Sequence, residues 1–418
     1  MFRREVLANG LRVLGEPNAE ADTVALGFFV RTGARDERPH ELGASHFIEH
    51  LLFKGSVQVT GRDLNAGFDL LGGNVNAFTS EETTVYHAAC LPEHAPELLR
   101  LLAHLLQPAF RPEDVEVERG VILEEIAMYA DQPAARAFDE LRARVWGEHP
   151  LGHRVLGTPE TVAALTPGVL RDNFRARYGT ATTTLVACGR FDWEALVRQA
   201  EELTRSWPRG GFTRARPEHA FRAGFDVITD PELTRVQFTL AAPGVAATDP
   251  RREAAVVLAD ILGGDNGRLY WALVDTGLAD GADLSHVEFD ETGAYEGDWT
   301  CDPERAEETL HAVRNVLATV QNDGVTEAEV ARSRRKLAVG AALRAETPYA
   351  RLFSLGMDDA YLGQPVSVEE TVQRFEAVTR DDVLDLLRAA PFDRAYLLAL
   401  GGVDAHLAPV EAESGPSA

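Results

Sequence analysis

The sequence holds only three cysteines in 418 residues, Cys90, Cys188 and Cys301, far apart and with no CxxC pair. That excludes a disulfide framework and gives these thiols structural places in a reducing compartment. Basic residues are scarce against acids: 41 Lys and Arg face 66 Asp and Glu, a formal charge of −25. Nucleic acid and anionic membrane surfaces need clustered positive charge, so neither is an expected partner. No apolar run approaches the ~20 residues that span a bilayer. The opening "MFRREVLANGLRVLGEP" also lacks a run long enough for a signal sequence, and reads as strand, Asn9-Gly10 turn and strand. A cytoplasmic location away from membranes is the expectation.

Apolar residues make up 45% of the chain, enough to bury a large core in two or more domains. Patterning predicts strands near 3–8, 11–16 and 22–31, then helices near 42–53 and 61–71. "NVNAFTS" and "TTVYHAACL" alternate as strands, and helices follow near 94–106, 112–129, 133–147 and 168–178. A strand "TTTLVACG" and a helix near 193–206 close the first half. This mixture predicts an α+β fold, a mostly antiparallel sheet backed by helices. The polar run "WPRGGFTRARPEHAF" lacks apolar periodicity and is the best linker.

The halves around that run resemble each other. "LTPGVLRDNFRARYGTATTTLVACG" from Leu165 parallels "VTRDDVLDLLRAAPFDRAYLLALGG" from Val378, each a helix with a Thr-containing cap and then an apolar strand ending in Gly. "TPETVAAL" and "SVEETVQRF" precede them at similar distance, and the separation is about 210 residues. A duplicated unit is therefore expected, with domains at 1–208 and 221–408, a linker at 209–220 and a frayed tail at 409–418.

The chemistry concentrates in "GASHFIEHLLFKGS", Gly43 to Ser56. His46 and His50, four apart, project from one helix face and can give two nitrogen donors to Zn²⁺. Glu49, on the adjoining edge, is placed to take a proton from metal-bound water without binding the metal. A surface cluster, or a pair of satisfied core histidines, is the plainer alternative. Phe47, Ile48, Leu51, Leu52 and Phe53 argue against a surface, and a buried His–Glu–His group needs compensation that a metal supplies. A third donor is sought in "EVERGVILEEIAMYADQP", where Glu118 and Glu125, seven apart, stack on one helix face. Val121, Ile122 and Ile126 give apolar surroundings, while Glu124 is turned about 100° from Glu125, toward solvent. An ordinary charged helix face would explain either glutamate taken alone.

Together these segments resemble the insulinase-like, pitrilysin-like (M16) zinc metallopeptidases, the inverzincins whose signature is H-x-x-E-H. "HFIEHLLFKGS" is similar to that family's zinc helix and "ERGVILEEI" to its second metal-binding segment. "GGNVNAFTSEETTVYHA" resembles its strand pair at the cleft, and "DQPAARAFDELRARVWGEHPLGHRVLGTPETV" the segment that follows. The resemblance covers nearly the whole chain. It implies two homologous α/β-sandwich domains facing each other as a half-clamshell, of the short bacterial type similar to processing-peptidase subunits. It further implies His46, His50 and Glu125 as zinc ligands, Glu49 as the base activating a zinc-bound water, and Glu118 orienting a ligand histidine through a carboxylate–imidazole bond. Asn76 and Ala77 would sit on a strand edge to which a peptide substrate adds as an extra strand. Asn76 reads equally well as a strand-end turn residue.

The pattern departs in one place. Active members carry an Arg and a Tyr in the second half, in a stretch like "REKxGLAY", that hold substrate and stabilise the oxyanion. The corresponding text is "GRLYWALVDTGLADGADL" (Gly267–Leu284), with Val274 or Asp275 near the Arg position and Asp280 at the Tyr position. Arg268 and Tyr270 fall, by the resemblance, in the preceding helix. "AVVLADILGGDNGRLY" has no histidine, and "VARSRRKLAVGAAL" has basic or small residues where the first half has acids, so no second metal site is expected. The resemblance implies a zinc endopeptidase for unfolded peptides or short polypeptides, enclosed in a chamber, as a homodimer or a heterodimer with a related subunit. The alternatives are a zinc-bearing subunit active only beside a partner that supplies the Arg and Tyr, or a non-catalytic peptide-binding scaffold. The intact ligand set weighs against the last.

Overall fold

Two runs of strands, each interleaved with helices, appear in the computed structural model, which describes residues 2–403 and Leu407; the expected tail at 409–418 lies outside them. The first half runs β1 (Arg3–Val6), β2 (Arg12–Pro17), β3 (Val24–Val30), α1 (Ala44–Leu52), α2 (Gly61–Leu70), β4 (Asn76–Thr79) and β5 (Thr84–Cys90). It continues with α3 (Ala95–Leu105), α4 (Pro112–Ala130), α5 (Pro133–Trp146), α6 (Pro159–Ala164), α7 (Pro167–Arg177), β6 (Thr183–Gly189) and α8 (Trp193–Thr204). The second half runs β7 (Gly224–Thr229), β8 (Val236–Gly244), α9 (Arg252–Gly263), β9 (Gly281–Glu288), β10 (Gly293–Cys301) and α10 (Ala306–Asp323). It ends with α11 (Glu327–Arg344), α12 (Pro348–Leu362), α13 (Val368–Ala377), α14 (Arg380–Leu387) and β11 (Tyr396–Gly401).

The first sheet has the order β1-β2-β6-β3-β5-β4 and the second β7-β11-β8-β10-β9. With β1 set aside the two orders match strand for strand. In each, a single parallel pair, β2 with β6 and β7 with β11, joins an otherwise antiparallel sheet. The fold is thus α+β and internally repeated. The repeated helix starts share a physical cause: Thr166 accepts from Val169 N to open α7, and Thr379 accepts from Asp382 N to open α14.

β3 ("VALGFFV") and β6 ("TTLVACG") are buried along their whole length, as strands covered on both faces must be. Alternate residues serve alternate faces. Val24, Leu26, Phe28 and Val30 join the main core with Phe47, Ile48, Leu51 and Leu52 of α1 and the leucines of α3. Ala25 and Phe29 face the other way, with Leu14, Val85, Val186 and Cys188, and there meet Leu352 and Leu355. That second layer is α12, which comes from the far end of the chain. At Gly356 it lies so close that an added Cβ would stand 2.3 Å from Phe29 Cζ. Buried Asp359 secures it, accepting from Arg12 and from Thr184 Oγ1, each at 2.8 Å.

The chain accordingly forms two compact units, each discontinuous in sequence. Unit 1 comprises the chain to Met128, His149–Pro217 and Val339–Val372; unit 2 comprises Tyr129–Glu148, Glu218–Ala338 and the chain from Gln373. α5 belongs to unit 2, where Arg142 pairs with Glu296 at 3.1 Å, Arg144 with Asp226 at 2.7 Å, and Trp146 packs edge-on against Phe221. Each half of the chain therefore lends one helix to the other half's sheet. The Gly-, Pro- and Arg-rich stretch as far as Pro217 lies in unit 1, tied by Arg214 to Asp36 at 2.9 Å and to Glu82 at 3.4 Å. The three cysteines are free and buried, and burial pushes the Cys90 thiol up to about 11 and the Cys188 thiol up to about 12.

Candidate metal centre

α1 starts where Gly43 turns the chain at φ 89°, and its apolar side sinks into the unit 1 core. His46 and His50 rise from the opposite face with ring centroids 4.7 Å apart. On α4, Val115, Glu118 and Ile122 form the buried line, and Glu125 continues it one turn further. Val121, expected among the apolar surroundings, is instead 45% exposed, because it sits about 100° round the helix from Ile122. Glu124 is exposed as expected.

These helices bring His46, His50 and Glu125 to one point. Glu125 Oε2 lies 3.7 Å from His46 Nε2 and 3.5 Å from His50 Nε2, and the three donor atoms all fall within 4.8 Å of one another. Those gaps are long for hydrogen bonds. They approach the ~3.4 Å that separates two ligands bonded ~2.0–2.1 Å from one tetrahedral ion. Behind them, His50 Nδ1 lies 3.0 Å from Glu118 Oε2; a carboxylate only accepts, so Nδ1 carries the proton and the Nε2 lone pair is free for a metal. Glu118 Oε1 takes Lys54 Nζ at 2.5 Å. On the adjoining edge of α1, Glu49 Oε2 accepts from Thr79 Oγ1 at 2.5 Å. Three carboxylates thus surround two imidazoles with one ammonium beside them, a charge set that a divalent cation completes. His₂Glu donors at this spacing fit zinc.

Burial lowers His46 to about 3, with the His50 charge pulling the same way, so its imidazole is neutral, the form in which a histidine can bind a metal. Burial alone would lower His50 too, but the Glu118 bond and the charges of Glu125, Glu118 and Glu49 outweigh it and raise its pKa. Glu49 is raised by burial, against the pull of Thr79 and His50. Burial would likewise raise Glu118, yet its bonds to His50 and Lys54 prevail and hold it below the usual carboxylate range.

Asn76 and Ala77 lie on β4, the last strand of the sheet order. Asn76 is exposed, pairs across β5 with His87, and its Oδ1 accepts from Ala77 N at 2.9 Å. Three residues escape the sequence reading. Lys54 stands one turn beyond His50, a spacing that could have flagged it. Thr79 shares a strand face with Ala77, toward α1, a signal available only once the register of β4 is known. Glu37 accepts from the amides that open α1.

The family model described as insulinase (peptidase family M16) matches residues 12–159, and that described as peptidase M16 inactive domain matches residues 164–337. A Streptomyces coelicolor protein named an uncharacterized zinc protease is 32% identical over 414 residues, covering 96% of this chain and 89% of its own. The chain belongs to peptidase family M16. M16 peptidases are zinc-dependent, so zinc is the cofactor of this chain's family. A probable mitochondrial-processing peptidase subunit beta of Arabidopsis thaliana is 32% identical over 269 residues, 63% of this chain and 51% of that protein. In fold, the M16 chain matches the crystal structure described as a peptidase M16 inactive domain from Pseudomonas fluorescens, with TM-score 0.90 and 20% identity over 97% of this chain and 98% of that one. Among the described residues, no helix is long and apolar enough to cross a membrane.

Among the described residues, unit 2 has no counterpart of the His46, His50 and Glu125 cluster. α9 follows β8 as α1 follows β3, and α11 follows α10 as α4 follows α3. Where α1 and α4 bring His50 to Glu125, α9 and α11 bring Asp260 to Lys336, an ion pair at 2.8 Å, with Ser333 Oγ donating to the same carboxylate. There the Lys336 ammonium neutralises the Asp260 carboxylate.

Proposed function

We propose that this M16 chain is a zinc endopeptidase for unfolded peptides, with His46, His50 and Glu125 as ligands and Glu49 as general base. The observation that carries the reading is the convergence of three donor atoms at ion-ligand spacing beside a carboxylate held by Thr79. When bound, Zn²⁺ is the Lewis acid that acidifies a water and polarises the peptide carbonyl. The chain's own residues do the rest. Glu118 fixes the tautomer and ring direction of His50. Glu49, its pKa raised by burial, takes the proton of the attacking water and passes it to the leaving amide nitrogen. The Thr79 hydroxyl keeps that carboxylate aimed. Along the outer edge of β4, Asn76 and Ala77 pair with an extended peptide through its backbone, which tolerates many sequences.

The test is zinc content together with chelator-sensitive cleavage of an unstructured peptide by wild type and Glu49→Gln. The variant should keep its zinc and cleave ~10²–10⁴-fold more slowly; cleavage at the wild-type rate rejects the base assignment. A second reading, a zinc-bearing subunit that needs a related chain, is favoured by the stretch Gly267–Leu284. There Arg268 is committed to Glu329 at 2.8 Å and Asp280 to Arg235, and the Arg and Tyr of active relatives have no equivalent. One relative is itself named as a subunit. Under this reading, adding a related subunit accelerates cleavage; a rate unchanged from the chain alone rejects it.

A further inference from the structure

α1 opens without a capping side chain of its own. Its cap position is Gly43, at φ 89°, and a Cβ there would stand 2.9 Å from the Leu156 carbonyl oxygen, so no Ser, Thr or Asp can take the place. The first amides of a helix nevertheless need acceptors, above all in a buried setting. Here the preceding chain supplies them. Glu37 Oε2 accepts from Gly43 N at 2.7 Å and its Oε1 from Ser45 N at 2.6 Å, while the Glu41 carbonyl accepts from Ala44 N at 2.8 Å. Glu37 is 4% exposed, and both its oxygens are spent on these amides. The Glu41 side chain is fixed in turn by Arg177 at 2.7 Å and by Arg38 N at 3.0 Å. His46 is the third residue of α1, inside the turn that Glu37 closes, whereas His50 lies a turn beyond.

We propose that Glu37 is a positioning residue for the metal centre: by closing the first turn of α1 it holds His46 Nε2 at Glu125, without touching the metal. The proposal rests on the reading of His46 as a ligand. When the cap is lost the first turn frays, His46 leaves its place for part of the time, and apparent metal affinity falls by the fraction still ordered. A first turn formed one time in ten weakens binding about tenfold. Glu37→Gln keeps one acceptor oxygen and should lose less than Glu37→Ala.

The experiment measures Zn²⁺ affinity by competition with a chromophoric chelator, and the visible spectrum of the Co²⁺-loaded protein. The proteins are wild type, Glu37→Ala, Glu37→Gln and Thr166→Ala, the last removing an equivalent cap from α7. The expected result is about tenfold weaker zinc binding in Glu37→Ala, a smaller loss in Glu37→Gln, a wild-type Co²⁺ spectrum at saturation because the metal selects the ordered turn, and wild-type behaviour in Thr166→Ala. Unchanged affinity in the Glu37 variants overturns the proposal, as does a Co²⁺ spectrum still altered at saturation, and so does an equal loss in Thr166→Ala, which would mark general destabilisation. Glu37→Gln alone decides if the alanine variant does not fold. Failure of the underlying reading shows separately: His46→Ala binding zinc as wild type does would remove the ligand assignment whatever Glu37 does.

Discussion

Glu118→Gln probes how the metal site is aimed. Glu118 is 4% exposed, and its two oxygens face His50 Nδ1 at 3.0 Å and Lys54 Nζ at 2.5 Å. Glutamine keeps the shape but offers one acceptor and one NH₂. Whichever way it turns, one contact sets donor against donor. Losing one hydrogen bond to a charged group costs ~1.5–3 kcal/mol, which is ~10–100-fold in metal affinity if felt wholly at His50. The pH dependence gives a sharper check. In wild type, burial pulls the His50 pKa down, but Glu118, Glu125 and Glu49 more than offset it. Without the Glu118 charge, His50 holds its proton less tightly, so a metal meets less competition from protons in acid. The affinity gap between variant and wild type should be widest above the titration of His50 and should narrow as pH falls. Chelator competition across the histidine range, roughly pH 5–8, measures it. Equal affinities at the alkaline end, or a gap that widens in acid, would refute the reasoning.

Thr79→Val removes the hydroxyl that Glu49 accepts from and that holds its pKa down. If Glu49 is the base proposed above, the acid limb of kcat/KM should move to higher pH and kcat fall ~10-fold with zinc content unchanged; an unaltered profile would separate Thr79 from that proposed role. His286 in unit 2 accepts from Val245 N at 3.1 Å, and burial, with Arg252, lowers it from 6.5 to about 4. The unfolded chain takes up this proton below pH 6.5 while the folded unit resists it, so the stabilisation is whole above 6.5 and is shed as pH falls toward about 4. The loss reaches ~3 kcal/mol, and urea midpoints followed over that range should flatten in His286→Gln. A fragment ending at 208 lacks α12 and leaves Leu14, Ala25, Phe29, Val85 and Val186 uncovered, so it should bind a hydrophobic dye and aggregate, and co-expression of the remainder should relieve both. A soluble fragment that binds no dye would count against the exchanged layer.

The residues gathered at the candidate metal centre are legible in the sequence because helix spacing is a local rule: four between His46 and His50, seven between Glu118 and Glu125. The repeat is legible for the same reason, in Thr caps and Gly-terminated strands. What depends on distant packing is not. "PAARAFDELRARVW" reads as an amphipathic helix, but nothing in it says that it covers β8 and β11 rather than the nearer sheet. Val121 reads as lining because it is apolar, while its angle on α4 turns it outward. Thr79 meets Glu49 only through the register of β4 against β5, and Glu37 caps α1 from outside any local capping pattern.

The exchanged helices also set an order of events during synthesis. When β6 leaves the ribosome at Gly189, all six strands of the first sheet exist, yet the helix that seals one of its faces ends only at Leu362. At ~5–20 residues per second the interval is on the order of ten to thirty seconds. Throughout it the nascent sheet carries a bare apolar face, Phe29 included, of the kind that makes folding intermediates prone to aggregate. α5 has the opposite timing, finished before a single strand of its own sheet has been made. Unit 1 closes first, once α12 is out, because the second sheet still waits for β11, the strand between β7 and β8.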